Sequence, residues 1–540
     1  MRKTVMTGKL ENKETVCNRQ HDKITCVLIC ICLFLLLFLM QLKFLNAEYF
    51  ISDEEDMMLG GKSIVKGFLL YKDYFSQHMP TGYYISALFE LLGARTITLQ
   101  RIYYYVFFAF MWTFMYKRYR VYVAGKVLIL YPIMFLSIIG TYQYGTTILS
   151  ENIAGIGLML LFLEFIKFTN LRELDWKSCA LISLSVILSF GALFIAIYPL
   201  FFIGLCVFAQ EIVWAWEKRN KIDSFLKNFF KRYMPLAVWV GIPWLIYFIY
   251  LKVTGTLYLF YYSAYVINRT IYPQYLEDGL GGSIVGSFLN LPAMFSQTLQ
   301  SLLFPDEGFT YAVAVQLIVL LLAILFVIWV FYKRKRLFGV TLVLFTLACG
   351  IREYFGYHGT HCEEILCFCA AGAVCTIYRE ARNDIWEFWH QAVFILPVII
   401  VIGAYTSDLG SFDSLEFKEN TSTTSLQIAA TTDEDEGVWN FTLSNDILMQ
   451  ADRASVYSGL ICPWGSEAFE AYILSEVEKD LPRVVLLNKD LTVWGYDIKV
   501  YDAAALEYID ANYTQYGDSW VYICNDYYLE AVTKLEEAGL

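Results

Sequence analysis

Asp53, Glu54, Glu55 and Asp56 stand side by side just past a long apolar run, and "LYKDYFSQHMP" at 70–80 adds Lys72, Asp73, Gln77 and His78. Ionisable groups are costly beside hydrocarbon, so their density here asks for a reason. A carboxylate that is partly buried has a raised pKa and can take a proton from an attacking group. The stretch could hold two such carboxylates, Asp53 and Asp73, and the His78 imidazole at one membrane surface, with Gly60, Gly61 and Gly67 as flexible backbone between them. Tyr71, Tyr74 and Phe75 read as interface aromatics, and Pro80 with Thr81 as a helix start. Glu151, in "TTILSENIAG", lies near the end of a further apolar run and could pair with Arg101 or Arg352; an acid at such depth is functional by default. "GYHGTHCEE" at 356–364 gathers His358, His361, Cys362, Glu363 and Glu364 with no standard metal-ligand spacing, so zinc is a poor fit. All of these charges also fit a solvated interfacial loop without chemistry.

The elements that must position them are membrane helices. Hydrophobic residues are 57% of the 540 and charged ones 17%, which excludes an ordinary soluble enzyme. The expected fold is mainly α: a polytopic bundle of about 11 spans near 24–45, 101–117, 121–139, 146–166, 178–196, 198–214, 234–251, 310–331, 337–351, 365–378 and 391–407. The first run is long enough to stay as an anchor behind a basic tail, 1–23. "KRYR" at 117–120, "KFTNLRELDWK" at 167–177, "EKRNKIDSFLKNFFKR" at 217–232, "KRKR" at 333–336 and "REARND" at 379–384 then all fall on the cytoplasmic side with the amino terminus. The loop 46–100, the loop 252–309 and everything past about 407 are expected outside.

That tail differs in kind. Residues 408–540 hold 25 acids and 7 bases, a formal charge of −18, against +7 for the rest. A polar linker is expected over 408–440, after the membrane domain 24–407. Over 441–540, strand-like "SVYSGLIC", "RVVLLN" and "SWVYICN" alternate with helical "SEAFEAYILSEVEKDL", "DAAALEYIDANY" and "DYYLEAVTKLEEAG", the pattern of a small extracytoplasmic α/β domain that folds as its own unit. Most of the 13 cysteines lie in apolar runs as small hydrophobes; Cys462 and Cys524 could pair outside the cell.

The order "D-E … G … G … LYKDYFSQHMP … YY … LG … R" after the first span resembles the first extracytoplasmic loop of GT-C glycosyltransferases. More narrowly, it is similar to the protein O-mannosyltransferase and lipid A aminoarabinose transferase branch. "GTLYLFYYSAYVINRTIY" and "REYFGYHG" are later echoes. The resemblance covers the membrane region in architecture and the first loop in motif. It implies a polyprenyl-phosphate-linked sugar as donor, an acceptor hydroxyl on a protein, lipid or cell-surface glycan, and transfer at the outer face of a bacterial cell membrane. Carried over by position, Asp53 is the catalytic base with Glu54 beside it, Asp73 the second acid, and His78 the His of a "QHxP" element that shapes the loop. The departing phosphate develops charge and needs cations or donors. Lys72, Arg101 and Arg352 are the candidates, with His358 on phosphate or sugar and Glu151 on the sugar.

No cofactor is fixed, and a divalent cation, Mg2+ or Mn2+, stays open. The expected partners are donor, acceptor and lipid bilayer; nucleic acid is not among them. A transporter or lipid flippase would instead place its ionisable groups mid-membrane in broken helices. A non-catalytic envelope assembly protein with the tail as a binding module is the third reading.

Overall fold

Apolar runs of about 20 residues must satisfy their peptide groups internally, so they close as helices. The computed structural model describes residues 4–46, 53–142, 145–217, 222–275, 284–306, 308–381 and 421–540. Its helices are α1 (Thr4–Leu42), α2 (Asp53–Val65), α3 (Thr81–Leu91), α4 (Ile97–Tyr119), α5 (Gly125–Tyr142), α6 (Ser150–Leu171), α7 (Trp176–Ser189), α8 (Ile197–Glu217) and α9 (Ile222–Val253). Ile284–Leu303, Tyr311–Tyr332, Arg336–Cys349 and Thr360–Ala381 follow. Five segments, Lys23–Leu42, Ser150–Leu171, Phe194–Trp216, Phe225–Val253 and Ala312–Tyr332, are long and apolar enough to cross a membrane, as a multi-pass protein requires. Ten of the eleven expected spans coincide with helices, and 391–407 lies outside the described residues. The loop 46–100 is itself largely helical, as α2 and α3.

Helix α6 is the core. It is buried from Ser150 to Ile166 and packs on α7 and on Thr360–Ala381. Gly157 makes the α7 approach possible, since a Cβ there would come within 2.7 Å of the Ser189 nitrogen. By contrast α9 leaves Ile242, Leu245, Ile246 and Ile249 exposed, as a lipid-facing helix should. At one end of the bundle, Arg118 Nε of α4 donates to Glu164 Oε1 of α6 at 2.7 Å, and Lys167 Nζ donates to Ser178 Oγ of α7 at 2.6 Å. The basic loops 117–120 and 167–177 therefore share that end.

The other end carries α2, α3 and the carboxyl-terminal domain. A five-stranded sheet runs in the order β2 (Ala454–Val456), β1 (Gly437–Phe441), β3 (Val484–Leu487), β7 (Val521–Cys524), β6 (Tyr513–Gln515), with β1 parallel to both neighbours and β7 antiparallel to both of its own. Alternation splits it cleanly. Val438, Val484, Leu486, Val521 and Ile523 join one core with helix Tyr528–Ala538, while Trp439, Val485, Leu487 and Tyr522 join another with Pro463–Val477 and Ala503–Asn512. A separate hairpin, β4 (Thr492–Val493) and β5 (Tyr496–Asp497), stands apart from this sheet.

Three sequence expectations change here. The stretch 408–440 is not all linker: helix Thr423–Thr431 buries Ile428 in the domain and β1 begins at Gly437, because apolar side chains at helix and strand spacing were masked by polar neighbours. Residues 408–420 lie outside the described set. "SVYSGLIC" pairs over only three residues before turning at Ser458–Ile461. Cys462 and Cys524 are both free thiols.

The domain is anchored on α2. Lys62, fully buried, donates to Glu90 Oε1 at 3.1 Å and to Asp452 Oδ1 at 2.5 Å. At the next residue the Ser63 hydroxyl accepts from Ser455 N, in the middle of β2, at 3.1 Å. A buried ammonium is tolerated only with partners of this kind, and the two carboxylates come from α3 and from the outer domain.

Candidate active site

The first loop is built by close packing rather than by flexible backbone. Gly60 and Gly61 are buried within α2, where a Cβ would meet the Tyr83 ring at 2.4 Å and the Ala87 nitrogen at 2.6 Å. They let α3 lie directly on α2. Gly67 alone of the three has a positive φ, 99°, and it ends the helix. Tyr71 and Tyr74 are buried, not interfacial. Helix α3 starts at Thr81 with Pro80 before it.

That packing turns the four acids at the start of α2 in different directions. Glu54 is bound internally: Arg101 Nη2 donates to its Oε2 at 2.7 Å and Nε to the same oxygen at 3.1 Å, while Ile148 N donates to Oε1 at 3.3 Å. Arg101 also donates to the Leu45 carbonyl at 2.9 Å. The pair ties the end of α1, α2, α4 and the approach to α6 together. Glu54 and Arg101 thus form a buried strut, hydrogen-bonded to each other and to backbone. Glu55 faces the outer domain, where burial and then the Asp446 charge push its carboxyl up to about 7.

Asp53 and Asp56 face the cluster. Tyr74 Oη donates to Asp56 Oδ1 at 2.6 Å, and Tyr83 Oη donates to Asp56 Oδ2. Burial raises the Asp56 carboxyl, with His78 and the two phenols opposing. Asp53 feels both signs of charge. Burial pushes it up to about 6; His78 and Arg352 pull it down, and Asp56 and Glu151 push it further. A carboxyl titrating there is ionised at neutral pH and still basic enough to accept a proton.

The cationic side comes from the segment between Arg336–Cys349 and Thr360–Ala381. Arg352 Nη1 donates to Glu151 Oε1 at 3.2 Å, and its Nη2 lies 3.1 Å from His358 Nε2. His358 Nδ1 is 3.5 Å from the same Glu151 oxygen. Arg352 holds φ at 111°, a conformation costing on the order of 1–3 kcal/mol for a branched side chain and tolerated where surroundings over-determine it. The turn that follows is equally constrained: Gly356 has φ 117°, and a Cβ there would strike Glu353 Oε1 at 2.1 Å. Glu353 Oε2 in turn accepts from His358 N at 3.2 Å. Burial lowers the His358 pKa, and the Arg352 charge adds to this against the pull of Glu151.

Of the residues expected from sequence, the structure brings together Asp53, His78, Glu151, Arg352 and His358. Asp73 is used differently: its Oδ2 accepts from Leu69 N at 2.8 Å, and its carbonyl accepts from Tyr457 N at 2.6 Å. It closes its own turn and seats the carboxyl-terminal domain. Lys72 lies in the same turn, its N–H on the Leu69 carbonyl, with no contact to the cluster. The Asp56–Tyr74–Tyr83 group escaped the sequence reading, although two tyrosines at α3 and loop positions beside an acid run were a usable signal. Cys462, expected only as a disulfide partner, and Tyr272, the last residue of "GTLYLFYYSAYVINRTIY", both share the electrostatic field of Asp53, and only tertiary structure places them there. Among the described residues no group of three or more His, Cys, Asp or Glu side chains is arranged to hold a metal ion.

No family model and no curated protein matches the chain. Solved structures to which it is similar include the oligosaccharyltransferase of Archaeoglobus fulgidus in the apo form, at 12% identity and TM-score 0.48, covering 85% of this chain and 70% of that one. ArnT from Cupriavidus metallidurans bound to undecaprenyl phosphate is similar at 9% identity and TM-score 0.46, covering 92% and 97%. The Archaeoglobus enzyme in complex with Zn and sulfate follows at 11% identity and TM-score 0.44, covering 84% and 67%.

Proposed function

We propose that this protein is an integral-membrane glycosyltransferase of GT-C type, moving a monosaccharide from a polyprenyl-phosphate donor to an acceptor hydroxyl on the outer face of a cell membrane. One observation carries the reading: Asp53, pushed up to about 6 chiefly by burial, lies in the field of Arg352, whose Nη2 is 3.1 Å from His358 Nε2 and whose Nη1 donates to Glu151 at 3.2 Å. A base and an anion-binding group are thereby held together at one end of the bundle, which is the pairing that displacement at a phosphate-linked sugar needs.

Asp53 accepts the proton of the acceptor hydroxyl as its oxygen attacks the anomeric carbon. The bond from that carbon to the phosphate oxygen breaks, and the electron pair leaves with the polyprenyl phosphate. Arg352, oriented by Glu151, meets the developing phosphate charge with a charge-assisted donor, and His358 or His78 adds a second. Asp56, fixed by Tyr74 and Tyr83, is a positioning residue that keeps the Asp53 pKa high. The candidate site supports this over transport, because Asp53, Glu151, Arg352 and His358 gather at one end of the bundle rather than around broken helices. The test is transfer from a synthetic polyprenyl-phosphate monosaccharide by purified protein, with and without chelator. Turnover lost in Asp53→Asn and retained in Asp73→Asn supports the assignment; full turnover in Asp53→Asn sinks it.

A further inference from the structure

The outer domain has a recess that the transfer chemistry does not use. It is a cavity of about 350 Å3 lined by Tyr275, Pro463, Ser466, Glu467, Glu470 and Tyr501. That volume falls in the ~300–1,000 Å3 range of small-molecule sites. An aromatic cluster adjoins its lining residue Tyr275, which is 6.0 Å from Trp464. Trp464 and Trp494 lie 4.6 Å apart, Tyr272 is 5.0 Å from Trp464 and 5.7 Å from Trp494, and Tyr275 is 5.2 Å from Tyr496. Trp494 is 51% exposed, and Tyr496 is also exposed, so ring area remains open beyond these contacts.

Trp494 occupies the first turn position of the β4–β5 hairpin with φ 51°, followed by Gly495 at 83°. Two positive φ values in succession favour Asn-Gly, and a bulky indole is a poor choice for the turn itself. Its presence is explained by the ring it offers, not by the backbone it must adopt. Beside the rings stand two carboxylates: Glu467 Oε2 accepts from Tyr275 Oη at 2.7 Å, and Glu470 Oε1 accepts from Ala505 N at 3.3 Å. Each of these bonds occupies one carboxylate oxygen. Two residues close in sequence to the lining, Tyr272 and Cys462, lie in the field of the candidate site. Tyr272 feels Arg352, Asp53 and Glu151, and Cys462, just before Pro463, feels Asp53 and Asp56.

Aromatic faces that take an apolar ring surface, next to carboxylates that accept hydroxyl donors, are the complement of a pyranose. We propose that this recess is a subsite for a sugar ring of the acceptor, making the acceptor a saccharide-bearing molecule whose free hydroxyl is fed toward Asp53. This rests on the glycosyl-transfer reading for its role, but the binding itself does not. A basic peptide is the competing occupant that the two glutamates would allow.

The test is direct binding to full-length protein in nanodiscs without donor, by saturation-transfer NMR and calorimetry, using mannotriose, chitotriose and a lysine-rich peptide as probes. We expect saturable binding of at least one oligosaccharide, weakened about tenfold in Trp494→Asn and about tenfold in Glu467→Gln, the size of one lost charged hydrogen bond. Trp494→Asn suits the turn and Glu467 is exposed, so both variants should keep the parental melting temperature. Binding of neither oligosaccharide, equal binding by both variants and wild type, or binding of the peptide alone would overturn the subsite. Trp494-dependent oligosaccharide binding in a protein that transfers no sugar would leave the subsite standing and remove the transferase reading instead.

Discussion

If Asp53 is the base, the rate must follow its ionisation. A carboxyl titrating near 6 is about 90% ionised at pH 7 and about 9% ionised at pH 5, so kcat/KM should fall about tenfold between them. An Asp at its ordinary 3.8 would remain over about 90% ionised at pH 5, and the same interval would be nearly flat. The acid limb therefore reports the environment and not merely the presence of a carboxylate. His78 pulls the Asp53 pKa down, so His78→Gln should move the limb to higher pH, provided the variant still folds. Asp53→Asn should remove the limb and lower turnover by roughly 10² or more. The assay is initial-rate transfer to acceptor over pH 4.5–8, with melting temperature followed at each pH. An acid limb that survives unchanged in Asp53→Asn would assign the titration to another group and refute the reasoning.

Three further outcomes follow from the geometry. Arg101→Leu should destabilise the protein by about 3–5 kcal/mol, because Glu54 is left buried without its cation, and Arg101→Leu with Glu54→Leu should recover much of that in a detergent melt. Equal loss in single and double variants would argue against a strut. Lys62→Met should likewise destabilise by about 3 kcal/mol and loosen the outer domain to protease, with Glu90→Gln restoring part of it. Burial raises the Asp452 carboxyl, but the Lys62 bond and the charges of Lys62 and Lys66 outweigh it and hold the group below its ordinary range. The Asp452 contribution is thus full above that range and is lost as pH falls through the folded value, so docking should weaken only in strong acid; weakening between pH 6 and 8 would contradict it. Reporters fused at Asp56, Pro273 and the carboxyl terminus should all be external, and a cytoplasmic carboxyl terminus would mean that a span between them and the terminus is miscounted.

Much of the bundle was legible because hydrocarbon leaves the backbone few choices. Runs such as Ala312–Tyr332 announce themselves by length and composition. The site was legible only as a set of residue types. Sequence placed Asp53, Glu54 and Asp73 in one loop, but not which of them turns inward. That depends on whether Arg101 meets Glu54 across 47 positions of chain, and on the Leu69 turn closing over Asp73. Helical phase separates Asp53 and Asp56 from Glu54, and the phase was hidden while the segment read as a loop. The glycines misled for a related reason: Gly60 and Gly61 look like hinges in isolation, yet they are the contact surface of α2 against α3. Nothing local tied Tyr272 or Cys462 to Asp53, since they arrive from segments about 220 and 410 residues away.

The outer domain is more than a lid on this account. Burial is the largest cause of the Asp53 shift, and Cys462 and Tyr272, which lie within its field, belong to the outer domain and to the loop packed beneath it. Tyr272 meets Trp464 edge to face, and Phe75 of the first loop meets Phe469 edge to face at 5.0 Å. The contacts that seat the domain thus run through the same loop that carries the base. Remove them, and water reaches Asp53; its pKa then falls toward the ordinary carboxylate value, and with it the basicity that makes proton removal from an alcohol feasible. On the proposed reading of Asp53 as the base, docking of the domain and tuning of that carboxyl are coupled, read at Lys62 as stability and at Asp53 as reactivity.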